Sequence, residues 1–358
     1  MNRYFHRILK PVRRPRANSY LLVTLFAFAF TVSATRLFLE VTGYPQLGGE
    51  DLHIAHVLWG GLLLTIAAIL PLVIANRWVY QFTAVLAGVG AGLFMDEVGK
   101  FISQENDYFF PIAAPIIYAF FILGVFFYLR INSPPPQSVR GELYAVLELL
   151  EEYLDHDLDS QEFNEVIDRL NYAVDHDDPP HLARFAASLS SFLKGNDIDL
   201  APEIPKKAER LQASLRSLEE RFLDQNRLRT WLSLGTIVLG SFATLTSIIA
   251  ILATFTPPGL LRFLTALFNP ANIGEIRWFL ATHALQGTIG IMLIGSGVSI
   301  AKHRQRVGFA LAYYSLIVYL IIVDLMLFYY YQFSTIISAL VQFSLLIGLI
   351  HFRNRYYK

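Results

Sequence analysis

The chain has 358 residues, 54% of them hydrophobic and only 16% charged, with a formal net charge of zero and no cysteine. Zero net charge gives no pull toward nucleic acid, and the lack of cysteine excludes disulfides, thiolate zinc sites, iron–sulfur clusters and cysteine nucleophiles. Soluble domains carry about a quarter charged residues, and here the deficit is concentrated in charge-free windows of about twenty residues, the length that crosses a bilayer.

The pattern predicts an all-α fold, a polytopic transmembrane helix bundle of about eight spans with a cytosolic helical insert. A basic segment comes first (Arg3, Arg7, Lys10, Arg13, Arg14, Arg16), followed by an apolar run from Tyr20 to Leu39. Val32-Ser33-Ala34 has the small-residue look of a signal-peptidase site. The run is long for a removable segment, so a signal anchor is the better reading. Spans are predicted near 19–40, 53–75, 78–98, 110–130, 229–255, 279–301, 308–330 and 333–352, each rich in Leu, Ile, Val, Phe and Ala. They set three regions: helices one to four in 1–130, a cytosolic helical domain in 131–228, and helices five to eight in 229–358.

Orientation follows from the short loops. The N-terminal segment, Arg77, Arg130, the Lys302–Arg306 run and the Arg353/Arg355/Lys358 tail fall on one side, whereas the other side holds chiefly Lys100, Arg262 and Arg277. Basic residues favour the cytosolic face, so a multi-pass protein of the plasma (inner) membrane is predicted, with both termini cytosolic. Tyr329-Tyr330-Tyr331-Gln332 is a short but workable link between the last two spans. Residues 256–278 open with Pro257-Pro258-Gly259 and read as an interfacial helix.

The insert leaves the fourth span through Pro134-Pro135-Pro136, a stiff exit. Helical patterns follow near 139–155, 160–175 and 180–194. A longer one from about 205 has no breaker before Trp231 and is predicted to run into the fifth span as a rod. Residues 139–228 could also dock a cytosolic protein partner. Asp155-His156-Asp157-Leu158-Asp159 resembles the first half of a calcium loop, but Ser160 stands where glycine is needed and Val166 where a bidentate Glu is needed. Asp159 with Glu162 three residues later reads better as a helix cap.

Ionisable residues gather at the predicted outer ends of the spans: Arg36 and Glu40; Glu50, Asp51, His53 and His56; Asp96, Glu97 and Lys100; His283 with Gln286; and Asp324 about two turns deeper. Small residues suggest which way some of them point. Ala84, Gly88, Gly92, Asp96 and Lys100 recur at four-residue steps, His53 and His56 share a side with Gly60, and His283 shares one with Gly287, Gly290, Ile294 and Gly297. Such stripes mark close helix contacts, and polar groups in membrane segments usually face the bundle interior. The plain alternative is local pairing, Arg36 with Glu40 and Asp96 with Lys100.

Several chemistries suit this cluster. His53, His56 and His283 with a carboxylate could ligate zinc or iron. Asp96, Glu97, Lys100 or Asp324 could then act as catalytic acid or base toward a lipid or another outer-leaflet substrate. An ion- or proton-coupled transporter or channel is the alternative. A sensor or assembly factor driven by the rod, and a haem or quinone redox protein with facing histidines, complete the set. Membrane lipids are the one partner class the composition requires.

Overall fold

A computed structural model describes residues 11–42, 56–105, 107–132, 137–176, 180–195, 200–201, 225–255, 276–302 and 304–356. All regular structure among them is helical. In chain order the helices are α1 Ala17–Thr42, α2 His56–Val73, α3 Trp78–Asp96, the short α4 Val98–Ile102, α5 Ala113–Asn132, α6 Val139–Leu154, α7 Ser160–Asp175 and α8 Pro180–Gly195. Then come α9 Gln225–Phe255, α10 Ile276–Ala301, α11 Gln305–Val318, a π-helical segment Tyr319–Val323, α12 Asp324–Tyr331, a 3₁₀ turn Gln332–Thr335 and α13 Ile336–Tyr356.

Seven helical runs are long and apolar enough to cross a membrane. The last of them, Gln305–Arg353, has 49 residues. Straight, it would measure about 74 Å, far more than a bilayer core needs. It doubles back instead. Gln332 adopts a positive φ of 48°, and Phe309 near the start of α11 stacks on Phe352 near the end of α13 at 4.7 Å. The run therefore supplies two antiparallel helices, matching the predicted seventh and eighth spans. Large apolar side chains such as Phe26, Phe30, Leu72, Phe126, Val238, Ile291 and Ile337 point outward from these helices. A soluble fold would bury such surface; lipid accommodates it.

The chain divides into two compact units, Met1–Glu97 with Leu123–Pro205, and Val98–Ile122 with Lys206–Lys358. In the first unit α3 lies between α1 and α2. Gly88 and Gly92 bring α3 against Thr24, Ala27 and Thr31 of α1, and Thr24 Oγ1 donates across the interface to the Ala84 carbonyl at 3.1 Å. On the other face Gly60 meets Gly90, where a Cβ on Gly60 would come within 2.8 Å of the Gly90 carbonyl oxygen. Glycine is required there because the two backbones touch.

The described helices of the insert, α6 to α8, belong to this unit, together with the first three spans. Val146, Val166, Leu170, Ala173 and Ala186 form a fully buried core among α6, α7 and α8. Asp159 accepts the Glu162 backbone N–H while Glu162 reaches back to the Asp159 backbone, so the acidic turn is a capping box. The insert is fastened to the segments flanking α1 and α3. Arg16 pairs with Glu162 at 3.3 Å, Arg14 with Glu148 at 3.7 Å and Arg77 with Glu152, and Asn76 donates to Asp155 at 2.8 Å. Arg14, Arg16 and the α2–α3 loop thus all meet the insert. The predicted rod is described only from Gln225 onward, as the 31-residue α9. Residues 256–275 of the interfacial segment lie outside the described residues.

In the second unit α9 and α10 cross through Gly240 and Gly290, each backbone blocking a Cβ on the other, and Ser233 Oγ donates to the Gly297 carbonyl at 2.8 Å. Gly287 packs on Ser247, so the predicted α10 stripe is its contact face. Leu293, Ile300, Ala312, Leu316, Val323 and Phe352 fill the core beside them.

Candidate functional site

Three helices of the first unit end in a compact charged group. Arg36 lies near the end of α1, His56 is the first residue of α2, and Asp96 and Glu97 close α3. Arg36 Nε donates to Asp96 Oδ1 at 2.5 Å, and its Nη2 donates to the Asp96 main-chain carbonyl at 2.8 Å. His56 places Nε2 at 2.9 Å from Asp96 Oδ2 and Nδ1 at 3.1 Å from Glu97 Oε1. Asp96 is 0% exposed and Glu97 2%, while the His56 side chain keeps 21%. The two carboxylates are therefore interior, and the imidazole is the member that solvent can reach.

This geometry is physically demanding. A carboxylate at a helix C-terminus opposes the helix dipole, and a buried carboxylate needs a partner. Arg36 answers both needs at once, pairing with the Asp96 side chain and satisfying a terminal carbonyl of α3. An imidazole offers two N–H donors only when doubly protonated. With both ring nitrogens facing carboxylates, one proton more or less on His56 makes or breaks a hydrogen bond between α2 and α3. The Gly60–Gly90 contact, one helical turn further along α2, fixes how closely these helices approach.

The second unit holds two polar groups of its own. His283, 2% exposed, has Nδ1 at 2.7 Å from Gln286 Oε1 and Nε2 at 3.0 Å from the Tyr331 hydroxyl. Gln286 Nε2 donates to Thr246 Oγ1 and to the Tyr319 hydroxyl, each at 3.1 Å. Since Gln286 Oε1 only accepts, Nδ1 carries the hydrogen and Tyr331 donates to Nε2. Asp324, at the junction of the π-helical segment and α12, is 0% exposed and accepts from Gln342 Nε2 of α13 at 3.1 Å.

The residues singled out from sequence are thus distributed as follows. Asp96, Glu97 and His56 come together, with Arg36 as a fourth member. Arg36 pairs with Asp96 on α3; the Glu40 side chain lies outside the described residues. Lys100 falls in the second unit, its ammonium 5.4 Å from the Tyr108 ring centre. His283 and Asp324 belong to that unit too, each with its own partners. His53, with Glu50 and Asp51, lies outside the described residues. Among the described residues no three His, Asp or Glu side chains are placed to hold a metal ion. Tyr331, Tyr319, Thr246 and Gln342 complete these polar groups, and none of them carries a charge that would mark it in the sequence. A lone amide in an otherwise apolar span, as Gln342 is, would have been the usable signal.

No family model, no curated protein and no solved structure matches this chain. The functional reading therefore rests on the geometry alone.

Proposed function

We propose that this protein is an ion- or proton-coupled transporter of the plasma membrane, with both termini cytosolic and the Arg36–Asp96–His56–Glu97 group as its coupling site. The observation that carries this reading is His56, partly accessible and bridging two buried carboxylates through both ring nitrogens. Such a group binds or releases a proton at the cost of a contact between helices, which is the coupling an ion-driven cycle needs. A divalent metal at the same place would have to displace the Arg36 guanidinium from Asp96 and the imidazole from both carboxylates, so a zinc or iron hydrolase is less well supported. The far ends of α2 and α3 meet the insert through Asn76 and Arg77. In this reading the insert biases the α2–α3 pair from the cytosol, directly or through a protein partner.

The experiment is reconstitution into liposomes loaded with a pH-sensitive dye, with proton, sodium and potassium gradients applied in turn. Wild type dissipates at least one gradient, whereas His56→Gln and Asp96→Asn slow this at least tenfold. Tight liposomes under every gradient would overturn transport. If the purified protein then carried about one equivalent of zinc or iron, lost on His56→Ala, the enzyme reading would replace it.

A further inference from the structure

We propose that Asp324 is a proton-binding site in the interior of the second unit, with Gln342 as the amide partner of its carboxyl group. The inference is independent of the first unit's charged group and of what that group couples.

Asp324 and Gln342 are both 0% exposed. Asp324 Oδ1 accepts from Gln342 Nε2, which also donates to Ser338 Oγ at 3.1 Å. The other two polar atoms, Asp324 Oδ2 and Gln342 Oε1, make no hydrogen bond of ordinary geometry, although the Tyr118 hydroxyl also interacts with the carboxyl. Both are acceptors when the carboxyl is ionised, so the pair is short of a donor. A bare carboxylate in apolar surroundings is costly unless a cation pairs with it or it takes up a proton. No cationic side chain among the described residues interacts with Asp324. The titratable groups that face it are the hydroxyls of Tyr118 from α5 and Tyr319 from the π-helical segment, while α13 contributes the non-titrating Gln342 and Ser338. Tyr118 has its hydrogen committed to the Leu320 carbonyl at 2.8 Å. A proton on Oδ2 supplies the missing donor and removes the buried charge in one step.

An alkali ion is the competing occupant. It would need about six oxygen ligands; beside the Tyr118 and Tyr319 hydroxyls and Gln342 Oε1, the nearby Val323, Leu327 and Phe328 side chains supply none. The backbone marks the position as well. The Asp324 amide bonds to the Tyr319 carbonyl, five residues back instead of four. Such π segments inside α-helices recur at functional positions, and this one sets the direction in which Asp324 leaves the helix.

The test is infrared difference spectroscopy on the full chain in lipid nanodiscs, wild type against Asp324→Asn. One carboxylic-acid C=O band present in wild type and lost in the variant is expected; absence of any lost band would overturn the proposal. Wild type is also melted in sodium chloride and in choline chloride at equal strength. Equal melting temperatures are expected, and a sodium-dependent rise abolished by Asp324→Asn would assign the site to an alkali ion instead. Should Asp324→Asn not fold, Gln342→Leu serves in its place: removing the amide partner shifts the acid band, and an unmoved band would overturn the assignment.

Discussion

Arg36 holds Asp96 twice, at the carboxylate and at the main-chain carbonyl of the same residue, and so closes the end of α3 onto α1. Removing the guanidinium leaves a fully buried carboxylate exposed to its own helix dipole. Loss of one member of a buried ion pair costs about 3–5 kcal/mol. Arg36→Ala is therefore expected to lower the melting temperature in detergent markedly. Arg36→Lys should fall between the two, because a single ammonium does not reproduce the fork that reaches side chain and backbone together. Asp96→Asn in the Arg36→Ala background should recover part of the loss, by removing the stranded charge. Thermal unfolding of the four proteins checks this.

The Gly60–Gly90 contact sets the approach of α2 to α3. A methyl on Gly60 would meet backbone atoms of Gly90 and Phe94, both at 2.8 Å, and backbone cannot swing aside. Gly60→Val is expected to cost about 1–3 kcal/mol through overpacking and to spread the helices that carry His56 and Asp96. Gly61→Val, whose added Cβ would meet nothing within 4 Å, is the matched control. The prediction is a lower melting temperature and slower gradient dissipation for Gly60→Val only.

Arg77 fastens the insert to the start of α3 through Glu152, with both side chains largely buried. Arg77→Ala should loosen the insert while leaving its internal core of Val146, Val166, Leu170 and Ala186 intact. The expected result is faster limited proteolysis between 137 and 195 at an unchanged helical circular-dichroism signal. A proteolysis rate equal to wild type would remove Arg77 from the fastening.

Glu148 supplies a pH signature for the same interface. Burial pushes its carboxyl above the usual value of 4.5, against the lowering influence of Arg14 and Arg77. A carboxyl that binds its proton more tightly in the folded state stabilises most below its unfolded value, and that contribution is lost as pH rises through the folded value. The Glu148→Gln variant lacks this dependence. The difference in melting temperature, wild type minus variant, should therefore fall as pH is raised from about 4.5 toward neutrality. A difference that stays constant or grows over that window would contradict the assignment.

Span positions and order were legible in the residues themselves because hydropathy is a local property. Any apolar run of about twenty residues must form its hydrogen bonds within a helix when water is absent. The capping box at Asp159 and Glu162 was readable for the same reason, and so were the contact faces drawn by Gly88, Gly92, Gly287 and Gly290. What the sequence could not decide was which polar residue meets which. Arg36 is bound to Asp96, sixty positions away, because α1 and α3 cross through their small residues. Gly90 lies off the four-residue stripe, on the face that α2 covers. His56 belongs to the first unit and His283 to the second, each with its own hydrogen-bond partners. The charge of Asp324 marks it in the sequence, whereas its partner Gln342 and the π-helical segment before it carry no such mark. Sequence alone determined the spans and their contact stripes through local hydrophobicity and residue size; the pairing of charges was decided only when packing brought particular helix faces together.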